Sequence, residues 1–112
     1  MIEEAIRLFL ENELGATVKM EVPKNPPSAF FIVEKTGSSF SNHIYSSTIA
    51  IQSYAPTRYD AAVANEKVKD LMIYKFIHDP DVSKVELNSD YDYTDTQSKR
   101  YRYQAVFDIT HY

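Results

Sequence analysis

Along residues 2–14, Ile2, Ala5, Ile6, Phe9, Leu10 and Leu14 recur at spacings of three and four, while the glutamates, Arg7 and Asn12 take the other side. That spacing predicts an amphipathic helix. Gly15 is its natural stop, since glycine accepts the left-handed conformation that ends many helices. Residues 17–22 then switch to strict alternation, with Val18, Met20 and Val22 on one side, which predicts a half-buried strand halted by Pro23. Pro26 and Pro27 make a stiff connector. The second strand, residues 29–35, has apolar residues on both faces at its start (Phe30, Phe31, Ile32, Val33), so it is expected inside a sheet.

Residues 36–42 read as a turn or loop, with Gly37 best suited to a positive φ. Residues 43–54 predict a long third strand. Tyr45, Ser47, Ile49 and Ile51 lie on one face and Ile44, Ser46, Thr48 and Ala50 on the other, the first being the better core face in its second half. Ala55-Pro56 breaks it, and Thr57 caps a second helix, with Asp60 three residues on as in a capping box. Ala61, Ala64, Val68, Leu71 and Met72 form a narrow stripe whose small early residues allow close approach to a sheet. Residues 72–76 resemble a partner-binding stripe, but core packing explains them more simply, and His78-Asp79-Pro80 ends the helix. Residues 82–89 alternate, residues 90–98 form a polar, tyrosine-bearing loop, and residues 100–112 make a final strand with Tyr101, Tyr103, Ala105, Phe107 and Ile109 on one face. The order is α-β-β-β-α-β-β. It predicts a single α+β domain, residues 1–112, with a mainly antiparallel sheet and two helices packed on one face.

Composition narrows the function more than it names it. A chain of 112 residues with 44% hydrophobic and 25% charged residues is an ordinary globular domain. Nine tyrosines and six phenylalanines favour strands or interfaces. A net charge of −4 argues against sequence-specific nucleic-acid binding, which calls for a cationic surplus. The one dense basic run, Lys99-Arg100-Tyr101-Arg102, reads as a solvated strand face. Without cysteine there is neither a disulfide nor thiolate-bound zinc, which fits assembly inside a cell. The charged N-terminus is not expected to be a signal peptide, and no apolar run suits a membrane span, so the expected product has no membrane partner and is soluble or attached only through protein partners.

Candidate chemistry is sparse. Asp90, Asp92 and Asp95 begin like a calcium loop, but its sixth position holds Asp95 where glycine belongs, and its twelfth holds Tyr101 where glutamate belongs. His43, His78 and His111 have no metal-ligand spacing, no serine lies in a nucleophile elbow, and Gly15 and Gly37 are too far apart to cradle a phosphate. No catalytic residue, cofactor or metal is therefore assigned. A metal-dependent hydrolase built on the three aspartates is the enzymatic alternative.

Taken together, P-P-S-A-F-F-I-V-E-K-T-G, the strand I-A-I-Q-S-Y-A, the helix A-A-V-A-N-E-K-V-K-D-L-M and the closing R-Y-R-Y-Q-A-V-F-D-I-T follow a short helix and strand, with an acidic loop before the last. This succession resembles the tail-terminator or tail-completion proteins of long-tailed bacteriophages and prophages, across nearly the whole chain. Ser38 stands where the family often has a second glycine, and Tyr54 where it often has tryptophan. The resemblance implies a non-enzymatic structural protein of the virion, assembled in the host cytoplasm at the head-proximal end of the tail. It would form a homo-hexameric ring that caps the tail-tube protein, ends polymerisation and offers a joining surface to a head-completion protein. Ring closure needs two different complementary patches per subunit. The candidates are Gly37, Ser38, Ser39 and Phe40 in one loop, and Tyr91, Tyr93, Arg100 and Arg102 around another. A head-completion (neck or stopper) protein, or an α+β protein-binding module unrelated to phage, are the alternatives.

Overall fold

Alternating apolar positions dominate the middle of the chain, and they organise the fold around one central strand. The structure, a computed structural model, describes residues 1–98 and 100–112. Helix α1 (Ile2–Leu14) is followed by strands β1 (Val18–Lys19), β2 (Phe30–Ser41) and β3 (Ile44–Ala55). Helix α2 (Arg58–Tyr74) and a 3-10 turn (Phe76–His78) then lead to β4 (Val82–Asp92) and β5 (Tyr101–His111). The five strands form one sheet in the order β1-β2-β3-β5-β4. Only β1 and β2 run parallel, and every other pairing is antiparallel. The α+β class, element order and helix placement agree with the sequence reading.

Both helices lie on the same face. Ile6 and Leu10 of α1 and Val68 and Met72 of α2 join Phe31, Val33, Ile49, Ile51, Ala105, Phe107 and Ile109 in one buried cluster. Partnered residues in an antiparallel sheet share a face, so this face takes the odd positions of β3 and β5. Gly15 ends α1 with φ 60°, and its amide donates to the Glu11 carbonyl at 3.0 Å. Thr57 caps α2 by accepting from the Asp60 amide at 3.1 Å. The buried stripe of α2 is Ala61, Asn65, Val68 and Met72. Asn65 was not anticipated there, because its polarity hides its place at helical spacing.

Several boundaries depart from the pattern. Of the alternating residues 17–22, only Val18 and Lys19 are paired, opposite Phe31 and Ile32. Beyond Ile32 the outer side of β2 has no strand partner among the described residues, so most of β2 is an edge and its expected interior place holds only at its start. Residues 36–41 are not a loop. They continue β2 past a register shift between Lys35 and Gly37 to a tight turn at Asn42 and His43. These two residues, not Gly37, carry the positive φ, 52° and 64°, as a two-residue hairpin turn that matches strand twist requires. β4 likewise runs to Asp92, past the boundary the alternation suggested.

Two substitutions probe this arrangement. Phe107→Ala removes a fully buried ring and should cost about 3–5 kcal/mol in urea unfolding. His43→Gly relieves a left-handed non-glycine residue and should raise stability by up to about 1 kcal/mol in the same measurement.

Candidate protein-interaction surfaces

The hairpin turn puts Phe40 directly opposite Tyr45, and Tyr45 directly opposite His111 of β5. The three rings form a row across three strands, with centroids 4.5 Å apart for Phe40–Tyr45 and 5.4 Å for Tyr45–His111. By register the row lies on the helix-bearing face, at the turn end of the sheet. Phe40 is 57% exposed and Tyr45 43%, so the row presents aromatic surface to solvent. Beside it a concavity of about 330 Å³ is lined by Met1, Glu3, Lys35, Tyr45, Ser47 and His111, among others. Gly37, Ser38 and Ser39 lie in the exposed strand leading to Phe40, as part of the sheet.

His111 is the feature the sequence reading passed over. Its Nε2 lies 2.8 Å from the buried Ser47 Oγ, and its Nδ1 lies 3.2 Å from the Tyr112 carbonyl. A proton on Nδ1 lets that nitrogen donate to the carbonyl while Nε2 accepts from the hydroxyl. A serine with an oriented histidine is the beginning of a nucleophile–base pair. Here Ser47 is only 2% exposed, and the partner of Nδ1 is a carbonyl, so the pairing satisfies polar groups that the sheet has buried. Ser47 and His111 each sat on a core-facing alternation, but 64 residues separate them, and no local spacing links them.

The second surface is at the opposite end of the sheet and on its other face. Arg102 faces Tyr54 across the β3–β5 ladder. Its NH1 donates to the Tyr54 hydroxyl at 2.8 Å and its Nε to the Tyr93 carbonyl at 2.6 Å. The guanidinium carbon lies 4.3 Å from the Tyr93 ring centroid and 5.6 Å from that of Tyr54, close enough for cation–π attraction. Tyr54 stacks on Phe30 at 4.4 Å, and Tyr91 meets Tyr93 edge-on at 5.8 Å. The Gln104 amide donates to the Tyr91 hydroxyl, and the Gln52 amide donates to the Gln104 carbonyl oxygen at 2.8 Å. Tyr91 and Tyr93 remain exposed, while Arg102 serves mainly as the internal clamp of this cluster. Arg100 is exposed and forms an isolated bridge with Asp95; Lys99, the first residue of the basic run, lies outside the described residues.

The acidic loop uses its carboxylates locally. Asp92 accepts from the Thr94 hydroxyl and amide, and pairs with Arg58 at 2.8 Å. Asp95 accepts from the Ser98 hydroxyl at 2.8 Å and the Gln97 amide at 3.0 Å. The Thr94 hydroxyl chiefly holds the Asp92 carboxyl below its ordinary range, and the Ser98 hydroxyl does the same for Asp95. Asp90 shares the helix-bearing face with Asp92 by register and pairs with Lys69 of α2 at 3.2 Å.

The eight candidate residues therefore separate into two groups. Tyr45 and Tyr54 mark the two ends of β3, roughly 30 Å apart at ~3.3 Å per residue, along a molecule 44 Å long. Tested against protein-family models and curated protein sequences, the chain matches none.

Two measurements follow from this geometry. Arg102→Ala should loosen Tyr93 and Tyr54 together, seen as lost chemical-shift dispersion of both rings by NMR, with a stability loss of about 1–3 kcal/mol. Asp92 and Asp95 ionise more readily folded than unfolded, so their contribution is present above the ordinary carboxylate pKa and is lost as pH falls through the depressed folded values. The Thr94 and Gln97 amide resonances should accordingly shift with midpoints below the ~3.9 of a free aspartate.

Proposed function

We propose that the chain is a non-enzymatic structural protein that closes into a ring on the end of a phage tail tube, stops its growth and offers a joining surface to the head. The observation that carries this reading is the pair of unlike aromatic surfaces at opposite ends of the long axis. One is the Phe40–Tyr45–His111 row and the other the Tyr91–Tyr93 cluster clamped by Arg102. A head-to-tail ring needs two different patches on each subunit, whereas a two-fold dimer needs one self-complementary patch. Exposed tyrosine and phenylalanine beside arginine are the residue types that dominate interface energetics. The succession of sequence elements resembling tail terminators supports the same reading, and a net charge of −4 suits a ring through which DNA passes without sticking.

The test is tail-tube polymerisation. Added to growing tubes, the purified protein should yield a narrow length distribution with the protein at one end. Tubes of unchanged, uncontrolled length would overturn the reading. Phe40→Ser changes an exposed side chain and should weaken capping about tenfold or more while leaving the fold intact by circular dichroism.

A further inference from the structure

The sheet contains an unfinished strand next to an unfinished edge. Residues 17–22 alternate as a strand should, yet pairing stops at Lys19, and Met20 and Val22 are left 39% exposed each. Among the described residues, the outer side of β2 is unpaired from Val33 to Ser41. The Phe31 amide donates outward, to the Thr17 carbonyl, so the backbone groups of Val33 and Lys35 point the same way by alternation. At the far end, the two-residue turn makes Ser41 and Ile44 a bonded pair, which turns the backbone groups of Ser38 and Phe40 outward.

Topology keeps residues 20–22 from finishing this edge within their own subunit. Extending the parallel register would place Met20 beside Val33, Glu21 beside Glu34 and Val22 beside Lys35. Each added pair carries the chain further from Phe30, to which residues 23–29 must return, and parallel strands ordinarily need a connection of about a dozen residues or more. Glu21 and Glu34 would also meet as like charges. The opposite edge of the sheet is a poor substitute. β4 has two register shifts, and Lys84, Glu86 and Asp90 lie along it, the features that blunt an edge against pairing. Residues 37–41 of β2 are regular and uncharged, with Phe40 exposed at their end.

We propose that residues 20–22 of one copy add as a strand to the β2 edge, residues 35–41, of a second copy. This rests on the self-association in the ring reading and adds a main-chain contact to the two aromatic surfaces. The arm, residues 20–29, is anchored at both ends by the β1–β2 pairing, and its residues 20–22 can reach roughly 10 Å beyond Lys19. Main-chain hydrogen bonds supply the pairing, and Met20 or Val22 covers Phe40. In a ring each copy gives its arm to one neighbour and receives the arm of the other, which makes the contact head-to-tail.

Because the chain has no cysteine, single-cysteine variants can be mixed and joined with a short bis-maleimide. Val22→Cys mixed with Ser38→Cys should give about tenfold more mixed dimer than Val22→Cys mixed with Asn88→Cys on β4. Adding Met20→Pro to the first partner should abolish the excess, since the Thr17 carbonyl faces its own β2, alternation turns the Met20 amide outward, and proline removes that donor. No excess over the β4 control at millimolar chain, or an excess untouched by Met20→Pro, overturns the inference. Tube-length control separates the two readings: capping without the cross-link removes only this contact, and the cross-link without capping removes only the terminator role.

Discussion

Everything in this protein hangs on β3 being paired along nearly its whole length on both sides while the middle of its odd-numbered face is buried under helices. β2 pairs with it from Ile44 to Tyr54 and β5 from Tyr45 to Ala55, and Ile49 and Ile51 are fully buried. Burying such side chains contributes about 1.5–3 kcal/mol each. Backbone groups at that depth must find partners, so the strand cannot shift register without turning its isoleucines to the other face. That constraint positions α2, whose Ala61 and Val68 approach the sheet where β3 and β5 meet it.

From this fixed centre the polar chemistry is pushed to the ends. At the turn end the helical cover stops, and Tyr45 carries the core face into solvent between the buried His111 and the exposed Phe40. At the other end the even-numbered face, away from the helices, gathers Tyr54, Arg102 and Tyr93. Ion pairs of β4 with α2, Lys69–Asp90 and Arg58–Asp92, and of α1 with the residue that follows α2, Glu13–Lys75, tie the layers together. They are solvent-accessible, and pairs of that kind contribute little individually. Stability therefore resides in the middle of the sheet, and the two ends keep aromatic side chains exposed.

The local patterns spoke for the elements but not for their partners. Alternation along residues 43–54 and 100–112 already divided the core face from the other, and the helical spacings of residues 2–14 marked Ile6 and Leu10 for burial. Gly15 announced a helix end through a left-handed conformation that few other residues adopt as readily, and Thr57 announced a helix start through a side-chain oxygen able to accept the Asp60 amide. Gly37 misled, because a glycine followed by serines looks like a turn. The actual turn uses Asn42 and His43, since the register of two long strands, and not the most flexible residue, determines where a hairpin reverses.

What the sequence determined by itself was the set of elements, their order and the faces they bury, because periodicity, capping and chain-breaking residues act over a few positions. Tertiary structure alone decided which distant residues meet. It joined Ser47 to His111, placed Arg102 between Tyr54 and Tyr93, and kept Phe40 far from Tyr91. It also left residues 20–22 without a partner and most of β2 as an edge. Those outcomes depend on strand order and on the length of the connection between β1 and β2, and loop closure and sheet topology are properties of the whole chain that no short window of residues contains.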